Sequence, residues 1–234
     1  PEPWLTREEV IMKLGLRGRL LIMAAIPLLG MLWVAVWNTV DKVVLARDMG
    51  RLQRLVHVST SIGALAHELQ KERGLSAGFL GSKGANFGQE LDGQREASDK
   101  RVAELQAVLR DFDASRYSAE LKADLSQASS LLDELSSRRQ AISALLVPAP
   151  DAIGYYTRTI SSLLVLPSQT ANFSRIAQIG KLANAYSAFL QAKERAGIER
   201  ALLSNVFGAD RFAPDMLVRF LSIAAAQEIG RAHV

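Results

Sequence analysis

The chain has 234 residues, 49% of them hydrophobic, with 7 prolines, 6% aromatics and a net charge of +4. That composition suits one helix-rich domain with an anchor, and basic residues scattered among acidic ones, with no aromatic-interleaved stripe, argue against nucleic-acid binding. Cysteine is absent, which excludes disulfides, thiol catalysis and cysteine metal sites.

The first element is "LLIMAAIPLLGMLWVAVWNTV", an uncharged run of 21 residues from Leu20 to Val40. As a helix it would reach about 31 Å, enough for a bilayer core. It is too long for the apolar region of a signal peptide and no cleavage site follows, so it reads as an uncleaved transmembrane helix. Lys13, Arg17 and Arg19 precede it, Asp41, Lys42, Arg47 and Asp48 follow with no net charge, and Trp33 and Trp37 lie near its far end. Residues 1–19 are then cytoplasmic and everything after Val40 lies on the opposite side; Pro27 is tolerable in lipid. Met12 opens a natural start, so residues 1–11 read as upstream, non-native sequence. "EIGRAHV", 228–234, matches the translation of a common sequencing adapter. The expected soluble domain is 41–227, truncated.

Helical spacing continues from the membrane segment to about Leu80, with an apolar face at Leu55, Ile62, Ala66, Leu69, Ala77 and Leu80, and "GSKG" ends it. A second helix, about 86–112, carries Val102, Leu105, Leu109 and Phe112 at heptad spacing. A third, about 118–147, carries Leu121, Leu125, Ala128, Leu132, Leu135, Ile142 and Leu146, and stops at "PAPD". Asp151 is a candidate cap for a fourth helix to about Val165. "LPSQ" breaks the chain, a fifth helix covers about 169–207, and a sixth begins near Pro214. No segment has the period of a strand. The expected fold is all-α, an antiparallel helical bundle following an N-terminal transmembrane helix.

Arg73 falls near the centre of the first apolar stripe, four residues after Leu69 and seven before Leu80. Gly74, Gly78 and Gly81 form a second stripe beside it, at about 1 kcal/mol each in a helix interior. Glycines so spaced admit a second helix or a ligand; the plain alternative is a helix fraying into its turn. In the fifth helix Arg200 shares a spacing with Phe189, Ala196, Ser204 and Phe207, so it too points inward on this reading. Glu72, Lys193, Glu194 and Arg195 read as a solvated face, with Arg195 to Glu199 a weak pair at most. Arg139, between Leu135 and Ile142, and Arg95 in the second helix are candidates to join a pocket, or else residues that set register. His57, His67 and His233 form no metal-ligand pair. "GFLGSKGA" lacks the order of a phosphate loop, and no carboxylate pair marks a cleft. Neither enzyme, metal nor cofactor is expected.

"LQKERGLSAGFLGSKGANFGQELDGQREASDK", Leu69 to Lys100, and "KERAGIERALLSNVF", Lys193 to Phe207, resemble the nitrate- and nitrite-sensing (NIT) domain of bacterial signalling proteins. The second segment agrees with the family's pattern at Lys193, Glu194, Ala196, Gly197, Glu199, Arg200 and Ala201, and the resemblance covers about Ser59 to Gln227. It implies an all-helical periplasmic sensor held in a bacterial inner membrane, a homodimer binding nitrate or nitrite and no nucleic acid. Its output would be a chemotaxis domain, a histidine kinase or a cyclic-dinucleotide enzyme. The implied ligand set is Arg73 and Arg200, with Gly74, Ser76 and Ser204 shaping the pocket and Arg95 and Arg139 as further candidates. A planar, weakly hydrated monoanion matches the guanidinium fork once water is excluded. The alternatives are a sensor for another small anion such as a carboxylate, and a structural or partner-binding bundle.

Overall fold

The computed structural model describes residues 16–173, 177–212 and 214–231. The chain divides into two compact units, Pro1–Arg51 and Leu52–Val234. Helix α1 (Leu16–Gly81) begins in the first, where every residue from Leu20 to Arg47 is exposed. A helix apolar on all sides cannot hide one face against a core. Among the described residues it is the one helix long and apolar enough to cross a membrane.

The second unit is helical throughout its described elements. After α1 come α2 (Gly88–Arg110), a 3-10 turn (Ala114–Arg116), α3 (Ala119–Asp133), α4 (Leu135–Ser143), α5 (Ala149–Gln169), a second 3-10 turn (Thr170–Phe173), α6 (Ala177–Ala209) and α7 (Pro214–Arg231). No strand occurs among the described residues. Side-chain bonds give the directions. Ser59 with Thr170 and Glu72 with Tyr156 set α5 antiparallel to α1, whereas Gln70 with Glu194 and Ala77 with Asn205 set α6 parallel to α1. With α3 and α4 running on in one direction as a single interrupted helix, the helices otherwise alternate, so the antiparallel bundle brings its α6 back alongside α1 in the same sense.

Local chemistry explains the ends. α1 stays helical to Gly81 and stops in a Schellman turn: Gly84 N–H donates to Phe79 O (2.9 Å) and Lys83 N–H to Leu80 O (3.1 Å), with Lys83 left-handed at φ 53°. Arg73 and its glycines therefore sit in regular helix. The third predicted helix is two, α3 and α4, interrupted at Glu134, whose carbonyl accepts from Ser137 Oγ (2.8 Å); such back-bonding bends helices. Leu121, Ala128, Leu135 and Ile142, seven apart, stay buried across that break, while Leu146, expected in the seam, lies beyond the end of α4 and is 77% exposed. α5 starts at Ala149 behind Pro148, with Asp151 in its first turn but not capping it, and runs through Pro167 to Gln169. α6 accordingly starts later than expected.

Within the second unit α1 is buried on a widening arc. From Ile62 its buried positions come in adjacent pairs that resolve into two lines. Ile62, Leu65, Leu69, Glu72 and Ser76 make one; Gly63, Ala66, Gln70, Arg73 and Ala77 make the other. Glu72 on the first meets α4 and α5, and Gly63, Gln70, Arg73 and Ala77 on the second meet α6. One apolar stripe in the sequence is thus two seams, and the charged neighbours Glu72 and Arg73 each occupy one.

Candidate functional site

Arg73 is fully buried. Its Nη1 donates to Glu194 Oε1 (2.6 Å) and Thr157 Oγ1 (2.9 Å), and its Nη2 to Glu194 Oε2 (3.3 Å). Gln70 Nε2 donates to the same Glu194 oxygen at 2.8 Å, and the Arg73 Nε–H has no partner among the described residues. Glu194 is 6% exposed. The α6 line that carries it, Leu190, Glu194, Gly197, Ala201 and Asn205, is the face that packs inward. A Cβ on Gly197 would lie 2.8 Å from Arg73 Nη2, so glycine there makes room for the guanidinium itself.

Glu72, the next residue on α1, is also fully buried and holds a second network. Arg139 Nε and Nη2 donate to its two carboxylate oxygens at 2.7 and 2.9 Å, and Tyr156 OH donates at 2.7 Å. Arg139 Nη1 reaches Asp99 (2.5 Å), and Arg95 donates to Arg139 O (3.2 Å) and Ser143 Oγ (2.9 Å). Burial alone would lower the Arg139 pKa, but Glu72 and then Asp99 hold it above its ordinary value. Burial, then the Glu72 carboxylate, push the Tyr156 hydroxyl well up. Arg95 and Arg139, which sequence offered as pocket residues, are joined here as a clamp on Glu72, tying α2 and α4 to α1.

Arg200 does not point inward; it is exposed and has no ion-pair partner among the described residues. The inward reading leaned on Phe189 and Phe207, which are 63% and 77% exposed, and so rotated the helix away from its true Glu194 and Gly197 line. Arg200 lies on a stripe of α6 with Lys193, Gly197 and Ser204, beside His67 and Lys71 of α1. His67 is depressed by burial and then by Lys193 and Lys71, against the pull of Glu68, with Arg200 adding a smaller repulsion. Lys193 is depressed by burial and then by Arg200. Lys71 is held by Glu68 at 2.5 Å, and Glu68 also accepts from Gln94. Ser204 Oγ donates to Gly74 O (2.9 Å), so these two predicted residues do meet. A Cβ on Gly74 would touch nothing within 4 Å, whereas on Gly81 it would lie 2.5 Å from Asn205 O. Gly81 thus admits helix α6, and Gly74 leaves a notch. Ser76 is buried beside the Tyr156 hydroxyl on the other seam.

The predicted residues therefore fall into two groups, Gly74, Arg200 and Ser204 at the α1–α6 surface and Arg73, Ser76, Arg95 and Arg139 within. Glu72 and Glu194, read from sequence as solvated, are the buried anions of the site. Their signal was present: Glu72 lies seven residues after Leu65 and three after Leu69, and Glu194 four after Leu190.

Residues 64–233 match the family of nitrate and nitrite sensing (NIT) domains. The chain belongs to that family. A nitrate regulatory protein of Klebsiella oxytoca is 31% identical over 156 residues, covering 66% of this chain and 39% of that protein. The structure of the NasR transcription antiterminator matches with a TM-score of 0.72 at 26% identity, covering 82% of this chain and 52% of that one. The NIT chain described here thus spans about half or less of the length of these relatives. Both are regulators by name.

Proposed function

We propose that this NIT domain binds nitrate or nitrite at the α1–α6 seam, between Arg73 on the inside and Arg200 on the outside, and reports occupancy through α1. The observation that carries the reading is the charge of that seam. Arg200 has no ion-pair partner among the described residues, and its neighbours are both held below their ordinary pKa, Lys193 by burial and then by Arg200, His67 by burial and then by Lys193. A monoanion placed there removes repulsion, and the guanidinium fork fits a planar oxyanion better than an ammonium does. Ser204 and the notch at Gly74 lie on the same seam.

The exposed apolar helix from Leu20 to Val40 supports a membrane anchor, and the basic residues before it support an extracytoplasmic sensing unit. A reporter inserted at 84–88 is active only if exported; activity in the cytoplasm refutes this topology. The output is a signalling module joined to this chain, of the chemoreceptor or sensor-kinase type, working as a homodimer.

The test of the ligand is calorimetric titration of the full chain in detergent with nitrate, nitrite, chloride and acetate. Nitrate or nitrite binds wild type and stabilises it by about 2.7 kcal/mol at a hundredfold excess over Kd. Arg200→Ala loses that binding, and Arg73→Lys, which keeps the charge without the fork, weakens it. Wild-type affinity in both Arg73→Ala and Arg200→Ala overturns the site. Acetate binding tighter than nitrate favours a carboxylate sensor, a reading that Arg73 itself encourages by already holding a carboxylate.

A further inference from the structure

A buried arginine needs an anion, and Arg73 already has one. The Glu194 carboxylate is a planar group of one central atom and two oxygens bearing a single negative charge. Those are the shape and charge of nitrite and most of the shape of nitrate. It takes both Nη groups of Arg73 and the Gln70 amide, which is what a small oxyanion on this arginine would take. Resting on the reading that the sensed ion binds Arg73, we infer that Glu194 is a resident stand-in for that ion, a tethered competitor that the ligand must displace.

Three features separate this pair from a fixed structural one. Its two bonds are uneven, 2.6 and 3.3 Å, whereas Arg139 grips Glu72 at 2.7 and 2.9 Å. Arg73 keeps a fully buried Nε–H that has no partner among the described residues, a donor still unspent. Glu194 also has somewhere to go, because it lines a cavity of about 350 Å³ between α5 and α6 together with Ser161, Ser168, Gln191 and Arg195. Arg73 has no such route, being enclosed on all sides.

The exchange balances in charge. One monoanion replaces another on Arg73, so no uncompensated cation is left in the interior, and the Glu194 carboxylate regains water and the neighbourhood of Arg195. The same exchange releases the Gln70 and Arg73 bonds that tie α6 to α1. Ligand binding is thereby coupled to the grip between these two helices, which gives the ion a different affinity for the held and the released states. A tethered competitor lowers apparent affinity by the fraction of time it occupies the site.

Glu194→Gln keeps the size of the side chain and removes its charge. In calorimetric titration of the full chain in detergent with sodium nitrate and sodium nitrite, it binds roughly tenfold tighter or more than wild type. Its thermal midpoint rises further with nitrate than the wild-type midpoint does. A merely structural glutamate predicts the reverse, since its loss would loosen the site and weaken binding. If Glu194→Gln folds only when nitrate is present, that rescue supports the inference. If it folds under neither condition, Glu194→Asp, one methylene shorter with its charge retained, decides: tighter nitrate binding than wild type supports displacement, and equal or weaker binding overturns it. Folded Glu194→Gln with unchanged or weaker affinity overturns the inference while leaving the nitrate site standing. Absence of binding in both wild type and Glu194→Gln overturns the site and the inference together.

Discussion

Successive residues of α1, Glu72 and Arg73, each hold a buried ion pair, and the two pairs differ in everything except chemistry. Glu72 is closed in by Arg139 and Tyr156, and Arg139 passes on to Asp99, so four segments of the bundle are tied through one carboxylate. Arg73 meets α6 through Glu194, a partner at the edge of a cavity, and α5 through the Thr157 hydroxyl alone, and among the described residues it keeps a donor unspent. Each carboxylate accepts three hydrogen bonds, but an ion pair buried with no exit on its anionic side is a fastening. One buried with an exit on the anionic side is a contact that another anion can take. The difference lies in access, which neither distance nor burial alone reports.

The largest effect belongs to the closed pair. Glu72→Ala leaves Arg139 with Asp99 as its remaining carboxylate and takes the acceptor from the buried Tyr156 hydroxyl, and lowers unfolding free energy by about 3 kcal/mol or more; chemical denaturation of the full chain measures it, and a loss below about 1 kcal/mol would erase the contrast between the two pairs. Nitrate does not rescue this variant, because the ion belongs on the other seam. Tyr156→Phe removes one hydrogen bond to a charged group while keeping the packing, and is expected to cost about 1.5–3 kcal/mol in the same measurement.

Arg200→Ala sharpens the comparison from the other side. Exposed and without an ion-pair partner among the described residues, Arg200 is expected on truncation to change stability by no more than about 0.5 kcal/mol while nitrate binding is removed, so denaturation and calorimetry should disagree about its importance. Arg195→Lys keeps the charge at a position outside the seam and leaves nitrate affinity unchanged. The smallest effect is a proton shift. Burial and then Lys193 and Lys71 hold the folded His67 pKa below 6.5, so the unfolded chain binds the extra proton first and His67 costs stability as pH falls below about 6.5. An anion at the seam offsets that repulsion, so the His67 pKa followed by NMR rises on adding nitrate; no movement, or a fall, places the ion elsewhere.

Helical periodicity was enough to read the bundle, the turn after Leu80 and the buried line Leu121, Ala128, Leu135 and Ile142, because burying one face of a helix imposes a spacing that survives in the residue order. It was enough to find Arg73 in an apolar stripe. It failed at Arg200 because two phenylalanines, Phe189 and Phe207, were taken to mark the core and in fact face outward. It failed at Glu72 and Glu194 because a charge on a helix reads as solvated unless its partner is known, and Arg139 lies 67 residues away and Arg73 lies 121.

What the sequence by itself determined is the set of faces: an apolar helix at the start, amphipathic helices after it, glycines where another helix can come close, and arginines set among leucines. These follow from local spacing, which is a property of the chain. Only the tertiary structure decided which charges meet. It set α6 parallel to α1, split one stripe into two seams, gave Arg73 to Glu194 and Arg139 to Glu72, and left Arg200 outside. Pairing across the bundle depends on the rotation and direction of whole helices, and those are settled when every apolar face is buried at once.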